Sequence, residues 1–134
     1  MSADTVTVRR ELIDALSSAY IASGYKQDDV VLSRLRYDSA FCESTFNVRE
    51  AYLPVDGRFH LSMTTGTNCI SQTGIIFAGL LNGLSKKGGE VYVLEFHIRF
   101  LRAVCEKEFL VSARVDGARR TAKGIIYRMK GEVQ

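Results

Sequence analysis

The stretch TTGTNCISQTGIIFAGLLNGLSKKGG, residues 64–89, lies in the middle of the chain and decides the fold. Between Leu61 and Ser85 there is no Asp, Glu, Lys or Arg, although 25% of the chain is charged. The run is long enough for a bilayer-spanning helix. However, its first half is polar and only residues 74–84 are strongly apolar, whereas a spanning helix is apolar throughout. We therefore expect a helix buried in protein and no membrane span.

The ends of this helix carry recognisable signals. We expect it to begin between Ser62 and Thr67 and to end near Leu84. Lys86, Lys87 and two glycines follow, and cations followed by glycine are typical of a helix C-terminus. A helix that is apolar on all sides must also be covered on all sides.

Alternation of apolar and polar residues predicts strands on both sides of the helix. They cover 30–37 and 40–48 before it, and 91–102, 108–117 and 122–133 after it, with turns at 103–107 and 117–121. A further helix is expected over 9–23, after a frayed end at 1–7. These elements predict one α+β domain over 1–134, in which a curled antiparallel sheet wraps the central helix.

The segment 91–102 is long and rich in aromatic residues on both faces. A bare edge of this kind promotes aggregation. We therefore expect a homodimer, or a higher homo-oligomer, that pairs or covers this edge.

Composition limits the cellular compartment and the kinds of ligand to expect. Three Cys at wide spacing, without a C-x-x-C motif, argue against a disulfide framework and favour a reducing compartment, so we expect a cytoplasmic protein. The N-terminus shows no secretion-signal pattern. His and Cys lack metal-ligand spacing, so no metal is expected. The basic residues behind the net charge of +3 are spread along the chain, which predicts no nucleic-acid partner.

The order of elements resembles the hotdog fold, in which a curled sheet wraps one central helix. The residues RFLRAVCEKEFLVSARV (99–115) are similar to the strand–turn–strand that follows the helix in hotdog thioesterases. The resemblance implies chemistry on acyl thioesters. It leaves open which reaction, because one fold hosts many functions.

Within this fold, the chain most resembles the FcoT-type long-chain acyl-CoA thioesterases, although the sequence similarity is distant. The resemblance is carried by FNVREAYL (46–53) and FHLSMTTGTNCISQ (59–72). Its two site tyrosines correspond to Tyr25 and Tyr52, and its signature His is kept as His60. Its two site Asn fall on Ser62 and Ser71, the Gln after the second is kept as Gln72, and its Glu near the helix start is Thr65.

The residues themselves suggest how such a site would work. Asn68, Ser71 and Gln72 are spaced i, i+3 and i+4 and share one helix face, which can orient a water or a carbonyl. Free N–H groups at the helix start can bind the carbonyl oxygen. Histidine is the side chain best suited to exchange a proton at neutral pH, so His60 is the expected proton acceptor. Further candidate contacts for the substrate are Tyr25, Ser62, Thr65, Thr67, Phe77, Lys86 and Lys87, the two lysines as partners of a phosphate.

We therefore expect an acyl-CoA or acyl-carrier-protein thioesterase with Tyr52 assisting at the carbonyl. No cofactor is needed beyond the CoA or phosphopantetheine of the substrate. Two alternatives stay open: a 3-hydroxyacyl-thioester dehydratase, and a non-catalytic acyl-CoA-binding module. The polar helix residues also fit plain capping, the lysines a solvated loop, Cys69 a packing residue, and Phe77 ordinary core.

Overall fold

A computed structural model describes residue 11 and the ranges 28–51, 53–84 and 91–134. Its elements are β1 (Asp29–Tyr37), β2 (Phe41–Glu50), α1 (Met63–Leu81), β3 (Glu108–Thr121) and β4 (Gly124–Val133). The four strands form one antiparallel sheet in the order β1-β2-β3-β4. The described residues therefore form an α+β structure with one long helix, as predicted.

Several expectations lie outside the described residues. They are the frayed end at 1–7, the helix over 9–23 apart from Glu11, and the candidate site residues Tyr25, Tyr52, Lys86 and Lys87.

The hairpin of β1 and β2 confirms the two strands predicted before the helix. Asp38 organises its turn, because the carboxylate oxygen Oδ1 accepts hydrogen bonds from the backbone N–H of Ala40 at 2.7 Å and of Phe41 at 2.9 Å. This use of an Asp side chain is common in tight turns. The alternation predicted for β2 is also present. Its buried residues are Cys42, Ser44, Phe46 and Val48.

The second hairpin differs from its prediction. The turn expected at 117–121 is wrong, because β3 continues to Thr121 and pairs with β4 along this whole stretch. The chain instead reverses at 122–123, with Gly124 at φ +141°. Gly117 lies at an irregularity in the register of β3, where an extra residue is accommodated within a strand that continues.

The strand predicted over 91–102 is also wrong for a single copy of the chain. Residues 91–107 are described and have no strand assignment. A strand needs a neighbour for its N–H and C=O groups, and residues 91–103 make no backbone hydrogen bond with any described residue. The first anchored groups of this segment are the carbonyls of Val104 and Lys107, which accept from Leu61 and Val48.

The core lies between one face of α1 and the inner faces of β2 and β3. Its larger cluster contains the stacked rings of Phe46 and Phe109, whose centroids lie 5.8 Å apart. A second cluster contains Cys42, Phe77 and Ala113. The face of α1 that is buried consists of Thr65, Gly66, Cys69, Thr73, Phe77 and Ala78.

The opposite side of α1 is not covered as expected. On this side Ile75 and Gly79 are only half-buried, and Asn68 and Gln72 are exposed. A Cβ built at Gly79 would meet no described atom within 4 Å. The four described strands thus form a curled antiparallel sheet that packs against the buried face of the helix.

The helix also ends earlier than expected. It stops at Leu81, with Asn82 as C-cap and Gly83 at φ +64°. The N–H groups of Gly83 and Leu84 donate back to the carbonyls of Leu80 and Gly79, each at 3.0 Å. This is the Schellman arrangement, so Gly83 ends the helix and the later glycines do not.

Candidate functional site

The N-terminus of α1 begins with a side-chain cap. Ser62 has extended backbone geometry, and its Oγ accepts a hydrogen bond from the backbone N–H of Thr65 at 3.1 Å. The same hydroxyl donates to Oγ1 of Thr65, also at 3.1 Å. Ser62 is thus an N-cap residue, and its hydroxyl is fully engaged with the first helical turn.

A carboxylate reaches this cap from another part of the chain. Thr65 Oγ1 donates to Oδ2 of Asp28 at 2.9 Å, across 37 positions of sequence. Asp28 is half-buried and immediately precedes β1, whereas Thr65 is only 4% exposed. Three groups therefore form a chain of hydrogen bonds from the Ser62 hydroxyl through Thr65 to the Asp28 carboxylate.

Asp28 supplies the acid that the helix sequence lacks. The first turn of α1 contains no acidic residue, and a negative charge near a helix N-terminus is stabilised by the helix dipole. The resemblance puts Thr65 at the position of a Glu, and the structure brings the carboxylate of Asp28 to the side chain of Thr65. Sequence reasoning missed Asp28, because nothing local in an Asp-Asp pair before a strand indicates a contact with a distant helix.

The charge of Asp28 also affects the thiol of Cys69. Burial, and then the nearby carboxylate of Asp28, raise the pKa of Cys69 to about 11. The thiol is therefore protonated at neutral pH, and only a thiolate is an effective nucleophile. Cys69 is 4% exposed and packs in the cluster of Phe46 and Phe109, so the structure favours its packing interpretation.

The three polar residues predicted to share a helix face lie together on α1. Asn68 and Gln72 are exposed and Ser71 is half-buried. Their side chains make no hydrogen bond with any described residue, so their amide and hydroxyl groups can accept a ligand. Thr65, Asn68 and Gln72 are spaced i, i+3 and i+7, which puts the Asp28 contact at the N-terminal end of the same flank of the helix.

His60 lies two residues before the N-cap and is half-buried. Its neighbours on both sides are fixed, because Phe59 is buried in the core and the N–H of Leu61 donates to the carbonyl of Val104 at 2.7 Å. The imidazole itself makes no hydrogen bond with the described residues. The backbone at His60 is thus positioned while its ring remains able to bind another group.

The remaining candidates have different environments. Thr67 is half-buried beside the capped turn. Phe77 is fully buried against Cys42 and Ala113, so in this structure it is a core residue and lines no open slot. Phe96 and Phe100, in the aromatic segment 91–102, are exposed.

A shallow depression of about 150 Å³ lies at the turn between β1 and β2. It is lined by Arg36, Tyr37, Asp38 and Phe41. It lies at the far end of β1 from Asp28, roughly 25 Å away at the usual rise of a strand. None of the predicted site residues line it.

Two further findings concern the chemistry of the described part of the chain. It contains no group of three or more His, Cys, Asp or Glu residues that would hold a metal ion. No helix in it is long and apolar enough to cross a bilayer.

Comparison with known proteins adds no relative. No family model matches the chain, and neither the curated proteins nor the solved structures gave a significant match.

Proposed function

We propose that the protein is a thioesterase that hydrolyses acyl-CoA or acyl-carrier-protein thioesters at the N-terminus of α1. The observation that carries the proposal is the Asp28 carboxylate, bound to Thr65 at the start of a helix that has no acid of its own. Further support comes from the resemblance of residues 46–53 and 59–72 to long-chain acyl-CoA thioesterases. An antiparallel sheet packed on one long helix is also compatible with a hotdog fold.

The substrate carbonyl would bind at the first turn of the helix. The backbone N–H groups of Met63 and Thr64 precede the first intrahelical bond, which runs from Gly66 to Ser62, and they donate to no described residue. Both residues are exposed. Two such donors, aligned with the helix dipole, stabilise the negative charge that develops on a thioester oxygen under attack.

The attacking water would be bound by Asn68 and Gln72, whose amides lie on the flank that begins at Thr65. Two groups at the N-terminal end of α1 are the proposed acceptors of its proton: the Asp28 carboxylate and the imidazole of His60. Attack on the carbonyl carbon breaks the carbon–sulfur bond. The products are a carboxylic acid and a free thiol, which takes the proton.

The remaining parts of the proposal follow the sequence. Tyr25 and Tyr52 would donate to the carbonyl or contact the acyl group. Lys86 and Lys87 would bind a phosphate of CoA or phosphopantetheine. The three cysteines are free, which fits a reducing compartment such as the cytoplasm, and a homodimer is the proposed assembly.

The test measures thiol release from acyl-CoAs of increasing chain length, in a Cys105→Ser background because the exposed Cys105 would react with the thiol reagent. Asp28→Asn should lower kcat/KM by about a hundredfold or more, the usual scale for loss of an acid or base. Asp29→Asn is the matched control, because its carboxylate is paired with Arg49 at 3.0 Å and lies one residue away. It should leave the rate unchanged.

The pH profile separates the two proton acceptors. If His60 accepts the proton, His60→Gln removes the pH dependence near neutrality; if Asp28 does, the profile keeps its shape in His60→Gln. Mass spectrometry of the same reactions detects loss of one water without thiol release, which would establish a dehydratase instead. Saturable binding without any product would establish a binding module. The absence of thiol release at every chain length would reject hydrolysis.

A further inference from the structure

The positive charge of the chain is concentrated on the hairpin of β3 and β4. Between Arg114 and Lys130 there are six cationic residues and one acid, Asp116. This stretch therefore has a formal charge of +5, whereas the whole chain has +3, so all other residues together carry −2. The six cations are all exposed, and they are Arg114, Arg119, Arg120, Lys123, Arg128 and Lys130. A hairpin so different in charge from the rest of the chain is suited to bind a polyanion.

Strand pairing gathers these charges on one face of the sheet. Ala113 and Val115 pack in the core, so Arg114 between them points to the opposite face, which we call the outer face. Lys130 lies directly opposite Arg114 in the register of β3 and β4. Spacing along the sequence predicts no nucleic-acid partner, but the register makes neighbours of cations that are distant in sequence.

Two more arginines extend the outer face towards the turn of the hairpin. Arg128 is next to the core residue Met129 and therefore points outward. A Cβ built at Gly117 would lie 3.4 Å from the Arg128 guanidinium, so this side chain lies over the glycine. Arg119 is two positions beyond Gly117 and shares its face, and the turn adds Lys123. Cations thus continue from the middle of β3 to the turn, over roughly 25 Å.

These cations are available to an external anion. Within the described part of the chain, Arg114, Arg119 and Lys123 take part in no ion pair. One oxygen of the Asp116 carboxylate is shared between Nε of Arg128 at 3.3 Å and Nζ of Lys130 at 3.7 Å. A single carboxylate cannot neutralise five cations, so the outer face of the hairpin keeps a positive potential.

An aromatic ring lies at the end of the same row. Phe41 of β2 is opposite Arg114 in the register, so Phe41, Arg114 and Lys130 form a row across three strands. Phe41 also lines the shallow depression at the turn between β1 and β2, together with Arg36. Proteins bind single-stranded nucleic acids with this combination, because cations contact the phosphates while an aromatic side chain stacks on a base.

Other polyanions fit this surface less well. Residues 108–134 expose no large apolar side chain, so the hairpin has nothing to insert into a lipid surface or to bury against an apolar protein surface. An acidic polypeptide would pair with the cations but would leave Phe41 and the depression beside it unused. Four of the six cations are arginine, whose planar guanidinium binds phosphate oxygens through two parallel hydrogen bonds.

We propose that the outer face of the β3–β4 hairpin, together with Phe41, binds single-stranded nucleic acid through its phosphates and a stacked base. The inference is independent of the proposed thioesterase reaction, because α1 packs on the other face of the sheet. Phosphates and bases are common to RNA and DNA, so the test includes both.

Fluorescence anisotropy with labelled oligouridine RNA and oligothymidine DNA of about ten nucleotides measures the binding. Contacts of five cations with phosphates predict that the logarithm of the association constant falls with the logarithm of salt concentration at a slope of about −3.5. Lys130→Gln should weaken binding at low salt and reduce this slope by about 0.7. Lys107→Gln is the matched control, because Lys107 is exposed just before β3 at the end far from the turn, and it should change neither value.

Two further variants separate charge from stacking and from misfolding. Asp116→Asn removes the acid of the outer face and should tighten binding by about twofold or more at low salt, whereas a damaged fold would weaken it. Phe41→Leu keeps an apolar side chain but removes the ring. It should weaken binding by about fivefold or more, the scale of one base stacked on an aromatic residue, and leave the salt slope unchanged.

Other outcomes would overturn the proposal. They include no binding of either oligonucleotide at about 50 mM salt, and equal effects of Lys130→Gln and Lys107→Gln, which would place the contact elsewhere. Equally tight binding of polyglutamate would identify an acidic polypeptide as the partner. Tighter binding of a duplex, whose stacked bases are not accessible to Phe41, would also reject a single-strand site. None of these measurements uses an acyl thioester, so their failure is distinct from failure of the proposed reaction.

Discussion

The hydroxyl of Thr73 on α1 lies 3.0 Å from the hydroxyl of Ser44 on β2, and both side chains are fully buried. A second hydrogen bond links the Thr73 hydroxyl to the carbonyl oxygen of Cys69 at 2.9 Å. This polar pair joins the helix to the sheet in the middle of an apolar core. In the described residues no buried side-chain polar atom lacks a partner, so the pair is satisfied as it stands.

Removing one member of the pair should destabilise the fold. Thr73→Val keeps the shape of the side chain but leaves the buried Ser44 hydroxyl without its partner, at a cost of about 1–3 kcal/mol in unfolding free energy. Urea unfolding of Thr73→Val, Ser44→Ala and the double variant measures the interaction free energy between the two hydroxyls. The double variant should be about 1 kcal/mol more stable than the sum of the single effects. Strict additivity would mean that the two hydroxyls do not interact.

The effect on stability of replacing a glycine near the end of α1 should depend on the backbone angle φ and not on the space available for a side chain. Gly83 has φ +64° and Gly79 is helical, and a Cβ at either position would meet no described atom within 4 Å. Gly83→Ala should lower the free energy of unfolding by about 1 kcal/mol, because an L-residue is strained in the left-handed region. Gly79→Ala should raise it by up to about 1 kcal/mol, because alanine favours the helix. The midpoint temperatures of thermal unfolding of the two variants should therefore shift in opposite directions.

A glycine in β4 is required for a different reason. A Cβ at Gly131 would lie 2.9 Å from the carbonyl oxygen of Ser112 on β3, a contact that the backbone cannot relieve easily. Gly131→Ala should therefore cost about 1–3 kcal/mol. The control is Gly117→Ala, whose nearest neighbour is the mobile end of the Arg128 side chain at 3.4 Å. If both variants have the same stability by chemical denaturation, the close approach of β3 and β4 is not limiting.

The raised pKa of the Cys69 thiol predicts that the protein loses stability at alkaline pH. Its pKa is raised from the ordinary 9.0 to about 11 in the folded protein, so the folded state holds the proton more tightly than the unfolded state. The resulting stabilisation is complete below pH 9 and is lost as the pH rises from 9 to about 11. The loss is on the order of 2 kcal/mol. Urea unfolding between pH 8 and 10.5 measures it.

Cys69→Ala supplies the comparison for that measurement. The variant is less stable at pH 8 because a buried side chain is shortened, but its stability should fall less between pH 9 and 10.5 than that of the wild type. Parallel pH curves for the two proteins would contradict the raised pKa. All other titrating groups are common to both, so the difference isolates this thiol.

Much of the fold follows from local patterns. The alternation in β2 and the run without charge in α1 each report on burial, and the structure has both elements where the patterns predict them. The errors concern positions where local signals compete. Gly83 ends the helix before the basic residues are reached, and Gly117 lies within β3 because pairing with β4 continues past it. The segment 91–102 has a strand pattern without a strand neighbour among the described residues.

The candidate site was predictable only in part. Helical periodicity alone puts Asn68, Ser71 and Gln72 on one side of α1. The capping role of Ser62 is also a local property, which depends on a hydroxyl three residues before a free N–H. By contrast, the contact of Asp28 with Thr65 depends on where β1 begins relative to the helix, and this is fixed by the pairing of β1 with β2. No pattern in the sequence encodes that alignment.

The bond from Thr65 to Asp28 has a consequence for the order of folding. Because the first turn of α1 has no acid of its own, its stabilising charge arrives only when the start of the helix meets the start of β1, a contact across 37 positions of sequence. A peptide of the helix alone should fray at its N-terminal end, since that charge is missing. The start of the helix and the edge strand β1 therefore reach their final structure together. This couples local helix formation to the cooperative folding of the whole domain.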